Sequence, residues 1–272
     1  MATISRITTQ KKNKHRYNIF LDRNNKDAYA FSVDEDILIS FQLRKGMELD
    51  EPTINALIEK DNIHKSFTLA LNYLSYRMRS KKEIHDYLVK KEVEPEQIPV
   101  VIDRLVREGF LDDREFAASL VRTRKNTTSK GPLLVKKELL DKGVSAAIVE
   151  EAIQLYTYQD QYNKALKWME KKMKLDGRKS FREQLQNVQK TLMQKGFTGD
   201  VIKDVLAEVD TDDDNDAEWQ AVVYQGEKLL RKYAKKDEGL QLKQKLKGAL
   251  YRKGFGFEEI DRFIEEYVEE AE

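Results

Sequence analysis

Leu139-Leu-Asp-Lys-Gly-Val144 reads as the end of one helix and the beginning of a turn. The lysine lies in the last helical turn, the glycine supplies the left-handed residue just past it, and the apolar residue folds back onto that turn. The pattern returns as Leu192-Met-Gln-Lys-Gly-Phe197 and as Leu250-Tyr-Arg-Lys-Gly-Phe255. Leu88-Val-Lys-Lys-Glu-Val93 is the first copy, with glutamate where the others have glycine, so its helix should close with a different and costlier geometry. The aligned leucines are 51, 53 and 58 residues apart.

Helical periodicity surrounds each copy. Ile98, Val101, Ile102, Leu105 and Val106 fall at i, i+3, i+4, i+7 and i+8, and Ile260, Phe263, Ile264, Tyr267 and Val268 repeat that spacing. Each set is one apolar stripe on a charged helix. Ser80-Lys-Lys-Glu83 and Ser180-Phe-Arg-Glu183 read as capping boxes for a second helix, and Gly131-Pro132 stands in the place of Ser80. The cap lies eight residues before the aligned leucine in the first copies and twelve in the third, so later second helices should be one turn longer. Asp112 and Glu115 cap the helix that opens the second unit. Each unit thus holds three helices, Thr68–Met78, Lys81–Lys91 and Glu96–Glu108 in the first. None can bury its stripe alone, so neighbours must stack.

The front of the chain differs. Arg16-Tyr-Asn-Ile-Phe-Leu21 and Ala28-Tyr-Ala-Phe-Ser-Val33 alternate around a turn-rich segment, which predicts a β-hairpin that Ile4–Thr9 can join as a third strand. Such a sheet needs cover, expected from a helix over Asp34–Leu43. A further helix is expected from Glu51 to about Lys60. The fold class is therefore mainly α: tandem three-helix repeats forming an elongated curved stack, preceded by a small N-terminal β-hairpin and helix module. The expected divisions are 1–66 for that module, then repeats at 67–111, 112–158 and 159–210, then an acidic linker with a fourth repeat at 211–272.

Composition agrees. In 272 residues, 36% are charged, 12 are glycine and 4 are proline, which favours helices with wide solvated faces over a sheet protein. The net charge of +1 averages a basic front, with five cations and no acid in residues 1–16, against eight acids in residues 258–272. No cysteine is present, and no apolar run is long enough to span a membrane. A cytoplasmic monomer without membrane contact is expected.

Chemistry-bearing motifs are missing. His15, His64 and His85 share no ligand spacing, and Thr211–Asp216 fails the register of a calcium loop. There is no phosphate-binding glycine loop and no nucleophile–base arrangement. The chain is read as a non-enzyme with no cofactor and no metal. What remains is charge. Arg77, Arg79, Lys81 and Lys82 crowd six residues, and Arg122, Arg124, Lys125, Lys130, Lys136 and Lys137 occupy a stretch free of acids. Helix-end dipoles explain part of this. Recurrence at the same place in successive repeats suggests a stripe for a phosphate backbone or an acidic protein groove. Tyr76 could stack on bases there, whereas the spacing of Tyr73 suits a core.

Tyr73-Leu-Ser-Tyr-Arg-Met-Arg-Ser-Lys-Lys-Glu-Ile84, Leu105-Val-Arg-Glu-Gly-Phe-Leu-Asp-Asp-Arg-Glu-Phe-Ala117, Lys130-Gly131 and Leu139-Leu-Asp-Lys-Gly-Val144 resemble the RecX family of bacterial regulatory proteins. The resemblance is strong from about Thr68 to Gln154 and weaker beyond. The N-terminal hairpin is similar to the extension of longer Gram-positive members. The resemblance implies binding to the RecA recombinase and its nucleoprotein filament, and modulation, usually inhibition, of filament growth, ATP hydrolysis and strand exchange in DNA repair, recombination and the SOS response. Some members bind DNA, so single- or double-stranded DNA is a second implied partner. Two other readings stay open on the residues: a stand-alone DNA-binding protein and a helical-repeat interaction scaffold.

Overall fold

The computed structural model describes residues 1–23, 26–173, 178–208 and 215–269. The centre of the first hairpin turn and most of the expected acidic linker lie outside them. The chain forms two compact bodies, Met1–Ala117 with Leu140–Ile148, and Ala118–Leu139 with Val149–Glu272.

In the first body, β1 (Ala2–Thr9), β2 (Arg16–Arg23), β3 (Lys26–Asp34) and the short β4 (Glu48–Leu49) make an antiparallel sheet in the order β3-β2-β1-β4. The hairpin and the third strand are present, and β4 adds an edge that two residues could not announce in sequence. Ile4, Ile19, Leu21, Phe31 and Val33 are buried together with Leu43, Leu49, Ile54 and Leu57. The covering helix α1 (Glu35–Ser40) is capped by Asp34 and is shorter than expected. It stops before Gln42, which takes a left-handed φ of +50°.

The two helices expected at Glu51–Lys60 and Thr68–Met78 are one 24-residue helix, α2 (Glu51–Leu74). Nothing between Thr53 and Leu74 breaks a helix, and the expected boundary at residue 66 falls inside it. Ile54 and Leu57 pack on the sheet, while Phe67 and Ala70 pack in the first repeat. Midway, the buried Asp61 carboxylate accepts hydrogen bonds from Arg16 (2.8 and 3.2 Å) and from the Asp34 amide (2.8 Å), and pairs with Lys65 (2.8 Å). Burial pushes this carboxyl up, and those donors outweigh it and hold it below its usual value. A buried acid so satisfied lets the helix pass from one core to the next without a break.

The first repeat continues with α3 (Lys81–Lys90) and α4 (Gln97–Arg107). The second holds α5 (Asp113–Thr127), α6 (Pro132–Asp141) and α7 (Ala146–Ile153). In the second body follow α8 (Tyr158–Lys172), α9 (Phe181–Gln194) and α10 (Gly199–Ala207), then α11 (Asn215–Tyr233), α12 (Gly239–Arg252) and α13 (Phe257–Ile264). Among the described residues α2 to α13 supply the twelve expected helices. As the cap positions require, α9 and α12 have 14 residues where α3 and α6 have 10.

The lysine–glycine turns do more than close helices. Ser80, capping α3, accepts the Glu83 amide at 3.2 Å and donates its hydroxyl to the Lys142 carbonyl of the next repeat at 2.7 Å. Gly143 follows with φ +76°, and a Cβ there would stand 2.6 Å from the Lys82 side chain. In the second body Ser180 accepts the Glu183 amide at 3.1 Å and donates to the Lys253 carbonyl at 2.5 Å, beside Gly254. Glu183 turns to Lys179, so of these two serines Ser80 has the complete capping box and Ser180 does not. The remaining link uses backbone alone. The Gly131 amide donates to the Lys195 carbonyl at 2.7 Å and the Leu133 amide to the Gly196 carbonyl at 3.0 Å. A Cβ on Gly131 would overlap that carbonyl.

A second strap follows the same rule. The Lys81 amide donates to Asp113 at 2.9 Å, and the Phe181 amide to Glu218 at 2.8 Å. In both, the first free N–H of a second helix meets an acid from the first turn of the next repeat. Pro132, at that position in α6, has no hydrogen to give.

Glu92 corrects one expectation. It does not close its helix differently: its φ of +59° is in the same left-handed region as the glycines, and the Val93 amide returns to the Leu88 carbonyl as Phe197 returns to Leu192. The cost is backbone strain alone, since Glu92 is exposed and no earlier repeat presses on its side chain. At the other end of the series, Glu238 precedes α12 without making a side-chain cap bond.

Denaturant titration of the full chain checks the links. Ser80→Ala should cost about 1–2 kcal/mol and Gly143→Ala about 2–4 kcal/mol. Glu92→Gly should stabilise by about 0.5–1 kcal/mol through release of left-handed strain.

Candidate functional site

The first basic cluster lies in the turn between α2 and α3. Arg77 is bidentate to Glu83, at 2.8 and 3.3 Å, and also donates to the Met78 carbonyl at 2.8 Å. Arg79 donates to the Tyr73 carbonyl at 3.0 Å, and its guanidinium lies 3.4 Å from the centre of the Tyr73 ring. That ring stacks on Tyr87, with centroids 3.8 Å apart and planes within 7°. The half-buried Tyr73 is thus a packing residue, as its spacing predicts. Lys82 lays its stem beside Gly143 and donates to the Asp141 carbonyl at 3.0 Å.

Glu83 is the hub of this turn. It accepts the Ser80 amide, Arg77 and Lys142, the last at 2.9 Å. Burial would push its carboxyl up; Arg77, Lys142 and the amide together hold it at about 2.

The second cluster is spent in the same way within the second body. Arg124 grips Glu138 at 2.6 and 3.1 Å, and Lys130 reaches the same carboxylate at 2.7 Å. The Arg124 hydrogen bond is the chief reason that Glu138 titrates at about 2; Lys130 adds to it and burial opposes it. Lys125 pairs with Asp160 at 2.9 Å, and Lys136 pairs with Glu150. Arg122 is exposed on α5.

The notion that these cations are left over once structure is satisfied therefore fails for Arg77, Arg124, Lys125, Lys130 and Lys136, each held by an acid. Sequence reasoning missed Glu138, Glu150 and Asp160, and read Glu83 as a helix cap alone. Asp160 is 35 residues from Lys125 and Glu150 is 14 from Lys136, so only the fold brings them together. Glu138 directly follows Lys137 and was the one visible hint. Lys81, Lys137 and Tyr76 are different. All three are exposed, Tyr76 at 85%, and their side-chain polar groups have no partner among the described residues.

His64 is also better placed than its spacing suggested. Its Nε2 lies 3.4 Å from Asp34 and 3.9 Å from Asp36, on the sheet side of α2. One imidazole nitrogen and two carboxylate oxygens within 4.8 Å of one another could hold a metal ion. Asp34 is already the cap of α1, and its contact with the His64 ring accounts for the group equally well.

What the geometry defines is a helical-repeat protein whose repeats are tied by turns, with Lys81, Lys137 and Tyr76 exposed on it. Four domain profiles of a single family match it: Regulatory protein RecX N-terminal domain at residues 2–50, RecX first three-helix domain at 67–105, second at 112–153, and third at both 159–206 and 216–264. Regulatory protein RecX of Oceanobacillus iheyensis is 47% identical over 99% of this chain and 100% of its own length. That of Bacillus subtilis is 42% identical over 98% of this chain and 99% of its own. The crystal structure of a regulatory protein RecX aligns with a TM-score of 0.68 at 36% identity, covering 76% of this chain and all of that one. The RecX structure from Lactobacillus salivarius gives 0.53 at 35% identity, covering 55% and 97%. The chain belongs to the RecX family.

Acid titration checks the two carboxylate hubs. Glu83 and Glu138 are depressed from 4.5 to about 2, so their stabilisation is full above pH 4.5 and is lost as pH falls through about 2. The melting temperature should drop across that window. Glu83→Gln with Glu138→Gln should lower stability at pH 7 and flatten the drop.

Proposed function

We propose that the protein binds the RecA recombinase filament in the cytoplasm and restrains its growth, ATP hydrolysis and strand exchange during recombinational repair. The observation that carries this reading is family membership over nearly the whole chain, with relatives such as those of Oceanobacillus iheyensis and Bacillus subtilis named regulatory proteins. The repeats are compatible with it. Three-helix units of like design can offer like surfaces to successive protomers of a polymer, and linked weak contacts add as an effective concentration. Binding rather than chemistry is the work for which these side chains are disposed: carboxylates are paired with cations, and Lys81, Lys137 and Tyr76 point to solvent.

The direct test adds the protein to recombinase hydrolysing ATP on single-stranded DNA. Hydrolysis and strand exchange should fall with increasing protein, and unchanged rates at saturation would overturn the proposal. Lys81→Glu with Lys137→Glu should raise the concentration needed by roughly tenfold, as charge reversal at an interface does. Helicity should not change, because neither ammonium group holds the fold.

A further inference from the structure

The fourth repeat carries cations that its acids conceal in sequence. Glu227 is matched by Arg231 at 3.1 Å and Asp237 by Lys245 at 2.5 Å. Once those pairs are formed, Lys228 and Lys232 on α11, Lys235 and Lys236 in the turn after it, and Arg252 at the end of α12 have no acidic partner among the described residues. Lys232, Lys236 and Arg252 line an open groove of about 690 Å³ along α11 and α12, with Gln241 and Gln244 on its wall. Lys228, Lys232 and Lys235 line an adjoining hollow of about 620 Å³ that reaches the half-exposed Tyr224. Lys232 belongs to both, so the two hollows share a wall. In the second repeat, by contrast, Arg124, Lys125, Lys130 and Lys136 are each held by an acid.

We propose that this groove binds the phosphodiester backbone of a nucleic-acid strand. Ammonium groups on flexible stems, spaced about one per helical turn of 5.4 Å, suit a repeating charge along a chain. Two joined open hollows suit a polymer better than a small anion. Gln241, Gln244 and Tyr224 add amide hydrogen bonds and a ring face, which bases can use and an acidic protein surface has no particular need of. The assignment goes beyond the recombinase reading and does not require the recombinase to be present.

The test is fluorescence anisotropy of a labelled thirty-residue oligo-dT strand with the full chain, without recombinase, between 50 and 200 mM salt. Wild type should bind with a steep salt dependence. Lys232→Ala with Lys236→Ala and Arg252→Ala should lose tenfold or more at low salt. Its log–log salt slope should fall by about 2, from three contacts at roughly 0.7 each on a single strand. Lys232→Arg with Lys236→Arg should retain binding, which separates charge from folding. A duplex of the same length shows whether one strand or two is preferred, and binding of either supports the groove. The proposal is overturned if the triple variant binds like wild type while remaining helical. It is equally overturned if polyglutamate of equal charge competes as well as unlabelled strand, which would make the occupant an acidic protein.

Discussion

The repeats hold together through one contact made three times: the start of a second helix gives a hydrogen to the lysine carbonyl in the next repeat's turn. Ser80, Gly131 and Ser180 are the donors, and Lys142, Lys195 and Lys253 the acceptors. The contact satisfies a carbonyl that a helix end would otherwise leave unpaired. It also explains the glycine that follows each of these lysines. A left-handed backbone is one requirement there, and close approach to the preceding repeat is the other. The cores on either side, such as Phe67 with Leu88 and Leu105, supply most of the burial, but this contact sets which helix meets which turn.

Much of this was legible in the residues. The spacing of leucine, lysine and glycine marked the repeats, the serines marked the helix starts, and the distance between them foretold the longer α9 and α12. Those features are local, and local chemistry dictates them. The continuity of α2 was hidden because two apolar faces, one for the sheet and one for the first repeat, look like two helices with a polar gap between them. The gap is Asp61, and its partner Arg16 is 45 residues away. Glu92 showed the limit of inference from propensity: the turn kept its shape and the glutamate took the strain.

Charge was the least legible quantity. A run of cations without acids, as at Arg122–Lys137, looks like a binding surface, yet Glu138, Glu150 and Asp160 arrive from neighbouring helices and neutralise much of it. A run interspersed with acids, as at Glu227–Lys245, is masked by the acidic flanks of its repeat, yet Glu227 and Asp237 are matched by Arg231 and Lys245 and leave cations behind. Sequence counts charges along a line, whereas a partner meets those remaining after the fold has paired its own. Such pairs are individually modest on an exposed surface, about 0.2–1 kcal/mol. Their larger effect is to decide which cations are available.

The glutamates at the two ends of the series give the contact a boundary. Each internal repeat presents a turn to the repeat before it and a helix start to the repeat after it, a head-to-tail arrangement that could in principle continue from one molecule into another. Glu92 places a side chain where a seated turn requires none, and Glu238 stands where the hydroxyl of serine or the bare backbone of glycine would do the donating. The joint thus belongs to the interior of the series: the turn of the first repeat and the helix start of the fourth differ from it in the residue that each presents.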